Sequence, residues 1–261
     1  MKKMIIADTK KPPRRPNQDK TYHGSSGNDW YDAGDGNDVM FGGKGNDTLS
    51  GGNGSDTIFG EQGNDVLYGN AGIDYIEGGE GNDLIHGGSK NDVLNGGAGN
   101  DSIYGDGGDD ILFDASGKNF LWGGAGSDGF VLTGGQNIAA GDIGNDFFSI
   151  GGTQNSTLAG GEGRDVYFFG QIIDGNGFGS ALPTGTITIL EDFSKKNWGV
   201  IDLTSLNVEL VGTTPDTRKN DLYIKRLGGS IVIDVFYNNR ERLSIVLQGA
   251  TSLNPKDFLL Y

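Results

Sequence analysis

The chain of 261 residues contains no cysteine and only two histidines, His23 and His86. The absence of cysteine excludes disulfide bonds, iron–sulfur clusters, thiolate zinc sites and a cysteine nucleophile. Long apolar runs are also absent, since none approaches the roughly 18 residues that cross a bilayer. The apolar segment 4–7 is about half the minimum length for a secretory signal peptide. We therefore expect no N-terminal signal peptide and an export route, if any, of another kind.

Positive charge is scarce and unevenly placed. Residues 1–23 carry a net charge of +5 together with Pro12, Pro13 and Pro16, which predicts a basic, disordered arm. Residues 24–131 carry −16, and residues 132–261 carry −4. The total of −15 argues against nucleic acid or an anionic membrane as a partner, because both are polyanions.

Glycine is abundant, with 49 residues, and it recurs in a nine-residue repeat. The repeat starts at Gly24 and runs in unbroken phase for 12 units to Val131; residues 42–50, Gly-Gly-Lys-Gly-Asn-Asp-Thr-Leu-Ser, are typical. The first position is Gly in ten units, the fourth is Gly in 11, the sixth is Asp in 11, and the eighth is apolar in all 12. A register held without a break from Gly24 to Val131 indicates a repeat protein.

Each unit is predicted to form a six-residue turn and a three-residue strand. Glycines at the first and fourth positions permit positive φ, and the eighth-position side chain points inward. With two units per coil, residues two units apart stack on one sheet, so the fold class is an all-β parallel solenoid. The two inner ladders would be Leu49, Leu67, Ile85, Ile103 and Leu121, and Ile58, Ile76, Leu94 and Leu112. The 12 units would make six coils, roughly 29 Å long at about 4.8 Å per strand.

The sixth-position aspartates would then stand in two columns, one along each edge of the solenoid. Their carboxylates would lie about 5 Å apart, and the block holds only three lysines to neutralise them. Carboxylates and inward-pointing carbonyls at flexible geometry suit Ca²⁺ better than Mg²⁺. Asp and Asn are also common turn residues. That explanation predicts Asn or Ser about as often as Asp, whereas Asn occurs once, at Asn119.

This block resembles the nonapeptide repeats of RTX (repeats-in-toxin) proteins, Gly-Gly-x-Gly-x-Asp-x-apolar-x. The resemblance implies a right-handed parallel β-roll that binds multiple Ca²⁺ ions in its turns and is exported by the type I secretion machinery. Lys90, which replaces a fourth-position glycine, and the pair Asp114 and Asn119 depart from the pattern and weaken their sites. The implied metal ligands are Asp29, Asp38, Asp47, Asp56, Asp65, Asp74, Asp83, Asp92, Asp101, Asp110 and Asp128.

The repeat degenerates over residues 132–168, where Asp146 and Asp165 are further candidate ligands, so the roll is assigned to 24–168. Residues 169–261 resemble the β-rich C-terminal cap of RTX proteins, which implies an uncleaved secretion signal in the last 60 or so residues. An acidic residue usual near Trp198-Gly199 is missing. The predicted strands are 186–190, 200–203, 221–225, and a hairpin of 230–236 with 243–248.

No catalytic motif is present, and only the arm, residues 1–23, precedes the roll, so we expect no enzyme activity. One interpretation is an exported, non-enzymatic calcium-binding protein that acts at a surface or on a host. The alternative is a glycan-binding accessory module, similar to the roll modules attached to mannuronan epimerases. A predicted outward ladder of rings could stack on sugars, or could pack on itself to cover the sheet: Tyr68, His86, Tyr104 and Trp122.

Overall fold

A computed structural model describes residues 18–152 and 155–169 and, beyond them, seven separate strands. These described segments contain strands and no helix, and so no helix of the length and hydrophobicity that a membrane crossing requires. The strands of the roll are β1 Thr21–His23, β2 Trp30–Asp35, β3 Val39–Lys44, β4 Thr48–Asn53, β5 Thr57–Gln62, β6 Val66–Ala71, β7 Tyr75–Glu80, β8 Leu84–Ser89, β9 Val93–Ala98, β10 Ser102–Gly107, β11 Ile111–Asp114, β12 Lys118–Ala125, β13 Gly129–Leu132, β14 Gln136–Ile143, β15 Phe147–Ile150, β16 Thr157–Glu162 and β17 Val166–Phe169. The later strands are β18 Gly185–Ile189, β19 Val200–Asp202, β20 Glu209–Leu210, β21 Asp221–Leu227, β22 Ser230–Tyr237, β23 Glu241–Gln248 and β24 Phe258–Leu259.

Within the roll, the odd-numbered and the even-numbered strands form two separate sheets. The sheet of odd strands runs in the order β1-β3-β5 through β17 to β19 and β24, and the other runs β2-β4-β6 through β16 to β18. Pairing within the repeat is parallel at a step of two units, so Leu49 lies opposite Leu67, and Ile58 opposite Ile76. The predicted all-β parallel roll with two units per coil is confirmed.

Most strands of the repeat are twice as long as predicted. Each begins at the seventh position of one unit and continues through the third position of the next, as Thr48–Asn53 does. Burial alternates along it, so the apolar eighth position and the following first-position glycine both face inward: Leu49 and Gly51 are buried. A hydrogen-bonded strand therefore replaces half of the predicted turn.

Positive φ occurs at the second and fourth positions, as at Gly43 and Gly45 with φ of 100° and 112°. The prediction that first-position glycines supply positive φ is therefore wrong, because those glycines lie within extended strands. The second position accepts residues with a side chain, since Glu61 and Asn70 adopt φ of 75° and 74°. The first-position glycines serve another purpose, which the geometry of the turns explains below.

The core is a thin layer between the two sheets, to which each unit of the repeat contributes mainly one apolar side chain, that of its eighth position. Every residue of the two predicted ladders has zero exposure, from Leu49 to Leu121 and from Ile58 to Leu112. Toward the C-terminal end the ladder becomes aromatic, with Phe148 stacked between Phe130 and Tyr167 at ring-centroid distances of 4.5 and 4.9 Å. Since each coil contributes few side chains, the apolar area buried per residue is small.

The two ends of the roll differ from its middle. At the start, β1 pairs with β3, with Tyr22 opposite Met40, although residues 21–23 fall in the segment assigned to the arm. At the other end, β18 pairs in parallel with β23, and β23, β22 and β21 form an antiparallel meander that contains the expected hairpin. The arm residues 1–17, Trp198-Gly199 and about half of the last 60 residues, which hold the predicted secretion signal, lie outside the described residues.

Candidate metal centre

The sixth-position side chains form two rows that link successive coils. Between an aspartate and the residue before it in the row, the backbone N–H of the earlier residue donates to Oδ1 of the aspartate one coil later, as Asp47 N does to Asp65 Oδ1 at 2.7 Å. The first row is Lys20, Asp38, Asp56, Asp74, Asp92, Asp110, Asp128, Asp146 and Asp165. The second row is Asp29, Asp47, Asp65, Asp83, Asp101, Asn119, Asn137 and Ser156. Its last two steps differ, because Asn119 donates to Asn137 Oδ1 through its side-chain Nδ2, and Asn137 N donates to the hydroxyl Oγ of Ser156.

The second carboxylate oxygen, Oδ2, is buried and makes no hydrogen bond in 12 of the 13 predicted ligands. The exception is Asp29 at the start of the second row, which is half-buried and accepts a hydrogen bond from Ser25 N on Oδ2. Asp114, which replaces a first-position glycine, adds one more buried Oδ2 without a hydrogen bond. An unpaired buried carboxylate costs several kcal/mol, on the order of the net stability of a domain, unless a cation compensates it.

Burial dominates the electrostatics of these rows. Desolvation raises the pKa of Asp56, Asp83, Asp110 and Asp146 to about 7, and the neighbouring carboxylates in the row raise it further. Desolvation raises the pKa of Asp92 to about 8. The hydrogen bond that each Oδ1 accepts acts in the opposite direction but is too weak to offset burial. A bound divalent cation would reverse the shift, because it favours the ionised carboxylate.

The first-position glycines leave a space beside each Oδ2, which we call a cage. A Cβ at Gly42 would lie 2.6 Å from Asp47 Oδ2 and 2.6 Å from the carbonyl oxygen of Gly60, one coil later. These glycines are therefore required for space. In the described residues no three carboxylate or imidazole side chains converge on one point. A cation in a cage would accordingly take backbone carbonyls as well as carboxylates.

The ammonium group of Lys20 shows which oxygens line a cage. It donates to the carbonyls of Ala33 and Asp35 at 2.8 and 3.0 Å and lies 3.6 Å from Asp38 Oδ2. These are the first, third and sixth positions of the unit 33–41. By the repeat, each acidic cage offers two carbonyls and Oδ2 from the later coil, with Oδ2 of the earlier coil facing them. This set of hard oxygens from flexible turns fits Ca²⁺.

The departures from the motif alter individual turns. Lys90 has φ of 76°, whereas the neighbouring fourth-position residues Gly81 and Gly99 have 137° and 143°, so its Cβ is accommodated by a change in the turn. Charge from Lys90 also lowers the pKa of Asp74, although burial still leaves that pKa raised overall. At the other departure, Asn119 supplies Oδ1 to Asp101 N as an aspartate would, but its Nδ2 donates to Ser116 O at 2.6 Å.

Two further features lie outside the predicted site. The fifth-position side chains form ladders of opposite direction, in which Asn46 N donates to Asn28 Oδ1 and Asn64 N to Asn46 Oδ1. On the sheet of odd strands, His23, Phe41 and Phe59 stack in a second ring ladder. The recurrence of these residue types in every second unit, at the fifth and ninth positions, would have revealed both.

The predicted ring ladder on the sheet of even strands is present in part. His86 stacks between Tyr68 and Tyr104 at centroid distances of 5.5 and 4.7 Å. Phe120 lies between the rings of Tyr104 and Trp122, tilted against the former and 6.1 Å from the latter. The ladder therefore packs largely on itself, with Trp122 left 37% exposed.

Together the fold and the rows define a class of protein: a parallel β-roll whose turns present carboxylates and carbonyls to hard cations. The model of the RTX calcium-binding nonapeptide repeat (4 copies) matches residues 23–58, 41–76, 59–89, 86–113, 104–139 and 141–171. Because these matches cover more than half of the sequence, the chain belongs to the RTX calcium-binding repeat family.

Two solved structures are similar to this chain. One is the AlgE6R2 subunit of the Azotobacter vinelandii mannuronan C5-epimerase, with 18% identity and a TM-score of 0.38 over 57% of this chain and 91% of that one. The other is the extracellular lipase LipA from Serratia marcescens, with 15% identity and a TM-score of 0.19 over 93% of this chain and 40% of that one. No curated protein sequence matches the chain at a significant level.

Proposed function

We propose that this chain is an exported calcium-binding protein whose roll folds when it binds extracellular Ca²⁺. The observation that carries the proposal is the set of buried, unpaired Oδ2 atoms along both edges. Closing a coil without cations buries these charges, whereas closing it around Ca²⁺ converts them into ligands. Family membership supports calcium as the cation.

The charge and composition of residues 24–131 support the same switch. A net charge of −16 opposes closure, and 30 glycines raise the entropy cost of ordering the chain. The thin core offers little burial to offset these costs. At cytosolic calcium the block would remain unfolded, which suits passage through the type I secretion machinery. Outside the cell, calcium near millimolar reaches the roughly 10⁻⁴–10⁻³ M dissociation constants of extracellular modules.

Far-ultraviolet circular dichroism of the full chain, recorded in chelator and in millimolar Ca²⁺, tests the switch. We expect a disordered spectrum in chelator and a β spectrum after calcium is added, with a steep transition because several ions bind only the folded form. Magnesium at the same concentration is the control and should not produce the transition. A β spectrum that survives chelation unchanged would refute the proposal.

We further propose a non-enzymatic role at a surface or on a host, with the roll itself as the functional unit. A second candidate function is glycan binding through the exposed ring edges, and the 37% exposure of Trp122 favours it. Glycan-array binding of the calcium-loaded protein would test it, with Trp122→Ala as the variant and the solvent-facing Trp30→Ala as the matched control. Binding that Trp122→Ala abolishes and Trp30→Ala retains would support the glycan function.

A further inference from the structure

Lys20 occupies the sixth position of residues 15–23, a unit that precedes the repeat and lacks its motif. Residues 15–23 are in phase with the repeat, but Arg15 and Gln18 stand where the first and fourth glycines would be. The backbone of Lys20 nevertheless behaves as its aspartate counterparts do, because its N–H donates to Asp38 Oδ1 at 2.6 Å. Its carbonyl accepts from Val39 N at 2.8 Å, so the described residues 18–23 are docked on the roll.

The side chain of Lys20 enters the cage between this coil and the next. Its Nζ reaches the carbonyls of Ala33 and Asp35 and approaches Asp38 Oδ2, which has no exposure. These oxygens are equivalent to those that would hold Ca²⁺ in the acidic cages. A single positive charge with three N–H donors thus meets two carbonyls and a carboxylate, which is good hydrogen-bond chemistry for an ammonium group.

A sixth-position nitrogen also donates to a third-position carbonyl at the other end of the roll. Asn119 Nδ2 donates to the carbonyl of Ser116 at 2.6 Å, and Asn137 Nδ2 donates to the carbonyl of Gly134 at 3.1 Å. Both carbonyls belong to the third position, as that of Asp35 does. In three turns, therefore, a sixth-position nitrogen binds the carbonyl that an ion would otherwise use.

We propose that the Lys20 ammonium closes the first cage in place of calcium and acts there as a tethered cation. The inference rests on the proposed function, since it assigns which cages take Ca²⁺. Calcium binding in the first row then begins at the step from Asp38 to Asp56, and the step from Lys20 to Asp38 binds no ion. Because Lys20 is covalently attached, the first cage needs no calcium ion once the roll has folded.

The calcium content of the full chain after equilibrium dialysis against millimolar Ca²⁺ tests this assignment. Lys20→Asp restores an acidic pair with Asp38 and should bind one more ion per chain than wild type. Lys44→Asp makes the same charge change at an exposed third position and should leave the content unchanged. Equal calcium contents in Lys20→Asp and wild type, or an equal gain in Lys44→Asp, would overturn the proposal.

A second variant covers the case in which Lys20→Asp releases the first coil. Lys20→Met keeps the apolar stem but removes the ammonium, so in saturating calcium the amides of Gly24 and Val39, which bond across β1 and β3, should exchange roughly tenfold faster. Lys44→Met should not change their exchange. Unchanged exchange in Lys20→Met contradicts the tethered-cation role. Wild type that binds no calcium at all would instead refute the proposed function.

Discussion

The requirement for space at the first-position glycines can be tested with a single methyl group. In Gly42→Ala the new Cβ would lie 2.6 Å from Asp47 Oδ2 and from Gly60 O, and both distances are shorter than real Cβ contacts allow. The backbone at Gly42 is extended, so a left-handed strain does not contribute. The methyl group would occupy the space of a cation between Asp47 and Asp65.

The expected loss has two parts. At 10 mM calcium and a dissociation constant near 10⁻⁴ M, an ion that binds only the folded form contributes about 2.7 kcal/mol, and this term disappears with the cage. The steric conflict adds about 1–3 kcal/mol. The calcium-loaded protein should therefore lose about 4–6 kcal/mol of unfolding free energy and bind one ion fewer.

Urea unfolding at 10 mM calcium and the calcium content after dialysis are the measurements. Gly107→Ala is the matched control, because a Cβ there meets nothing closer than 3.9 Å and φ is not positive. It should keep every ion and change stability by less than about 1 kcal/mol. A full complement of calcium in Gly42→Ala, or the same loss in both variants, would refute the cage.

Two other predictions concern the turns. Lys90→Gly removes a side chain from a residue with left-handed φ and an ammonium group that acts on Asp74. The calcium concentration at the folding midpoint should therefore fall, and the unfolding free energy of the calcium-loaded protein in urea should rise by about 1 kcal/mol. Lys44→Gly, at an extended and exposed position, should not raise the stability, and an unchanged calcium midpoint in Lys90→Gly would show that this turn tolerates lysine. In chelator, folded-state pKa values of about 7 for Asp56 and about 8 for Asp92, against about 3.9 in the unfolded chain, mean that the folded form binds more protons between pH 4 and 8. The calcium-free roll should therefore become less stable as pH rises through that window, so in chelator the chain should show more β structure at pH 5 than at pH 8. A far-ultraviolet circular dichroism spectrum in chelator that does not change between pH 8 and pH 5 would contradict the burial of the rows.

The period of nine made most of the roll predictable. Because the eighth position is apolar in every unit, its alignment at steps of two units follows from the sequence alone, and Leu49 opposite Leu67 is the observed result. The strand length was not predictable in the same way. Gly51 and Gly52 are residues typical of turns, but backbone pairing between coils holds them in β4. That pairing depends on the neighbouring stacked coil and not on the local conformational preference of the two glycines.

The ends of the rows could not be predicted from the sequence for a similar reason. Residues 15–23 lack the glycines and the aspartate that define a unit, so the segment reads as a charged arm, and only Tyr22 retains the apolar eighth position. The docking of residues 18–23 depends on the contacts of Lys20 with the next coil. At Asn137 the sequence shows a lost ligand, whereas the structure shows a donor that satisfies the carbonyl of Gly134.

The two carboxylate oxygens of each aspartate have different roles, and this difference determines how the roll folds. Oδ1 ties a coil to its predecessor through a backbone N–H, and the same closure buries Oδ2 without a hydrogen bond, as at Asp92. A coil cannot gain the first interaction without the penalty of the second, so stacking and ion binding are coupled step by step along an acidic row. In the second row, Asn137 and Ser156 end this coupling, because their neutral side chains need no cation. We therefore expect coil stacking to begin beside the C-terminal strands, because the end of the second row there needs no calcium. Stacking should then proceed toward Asp38 as ions bind.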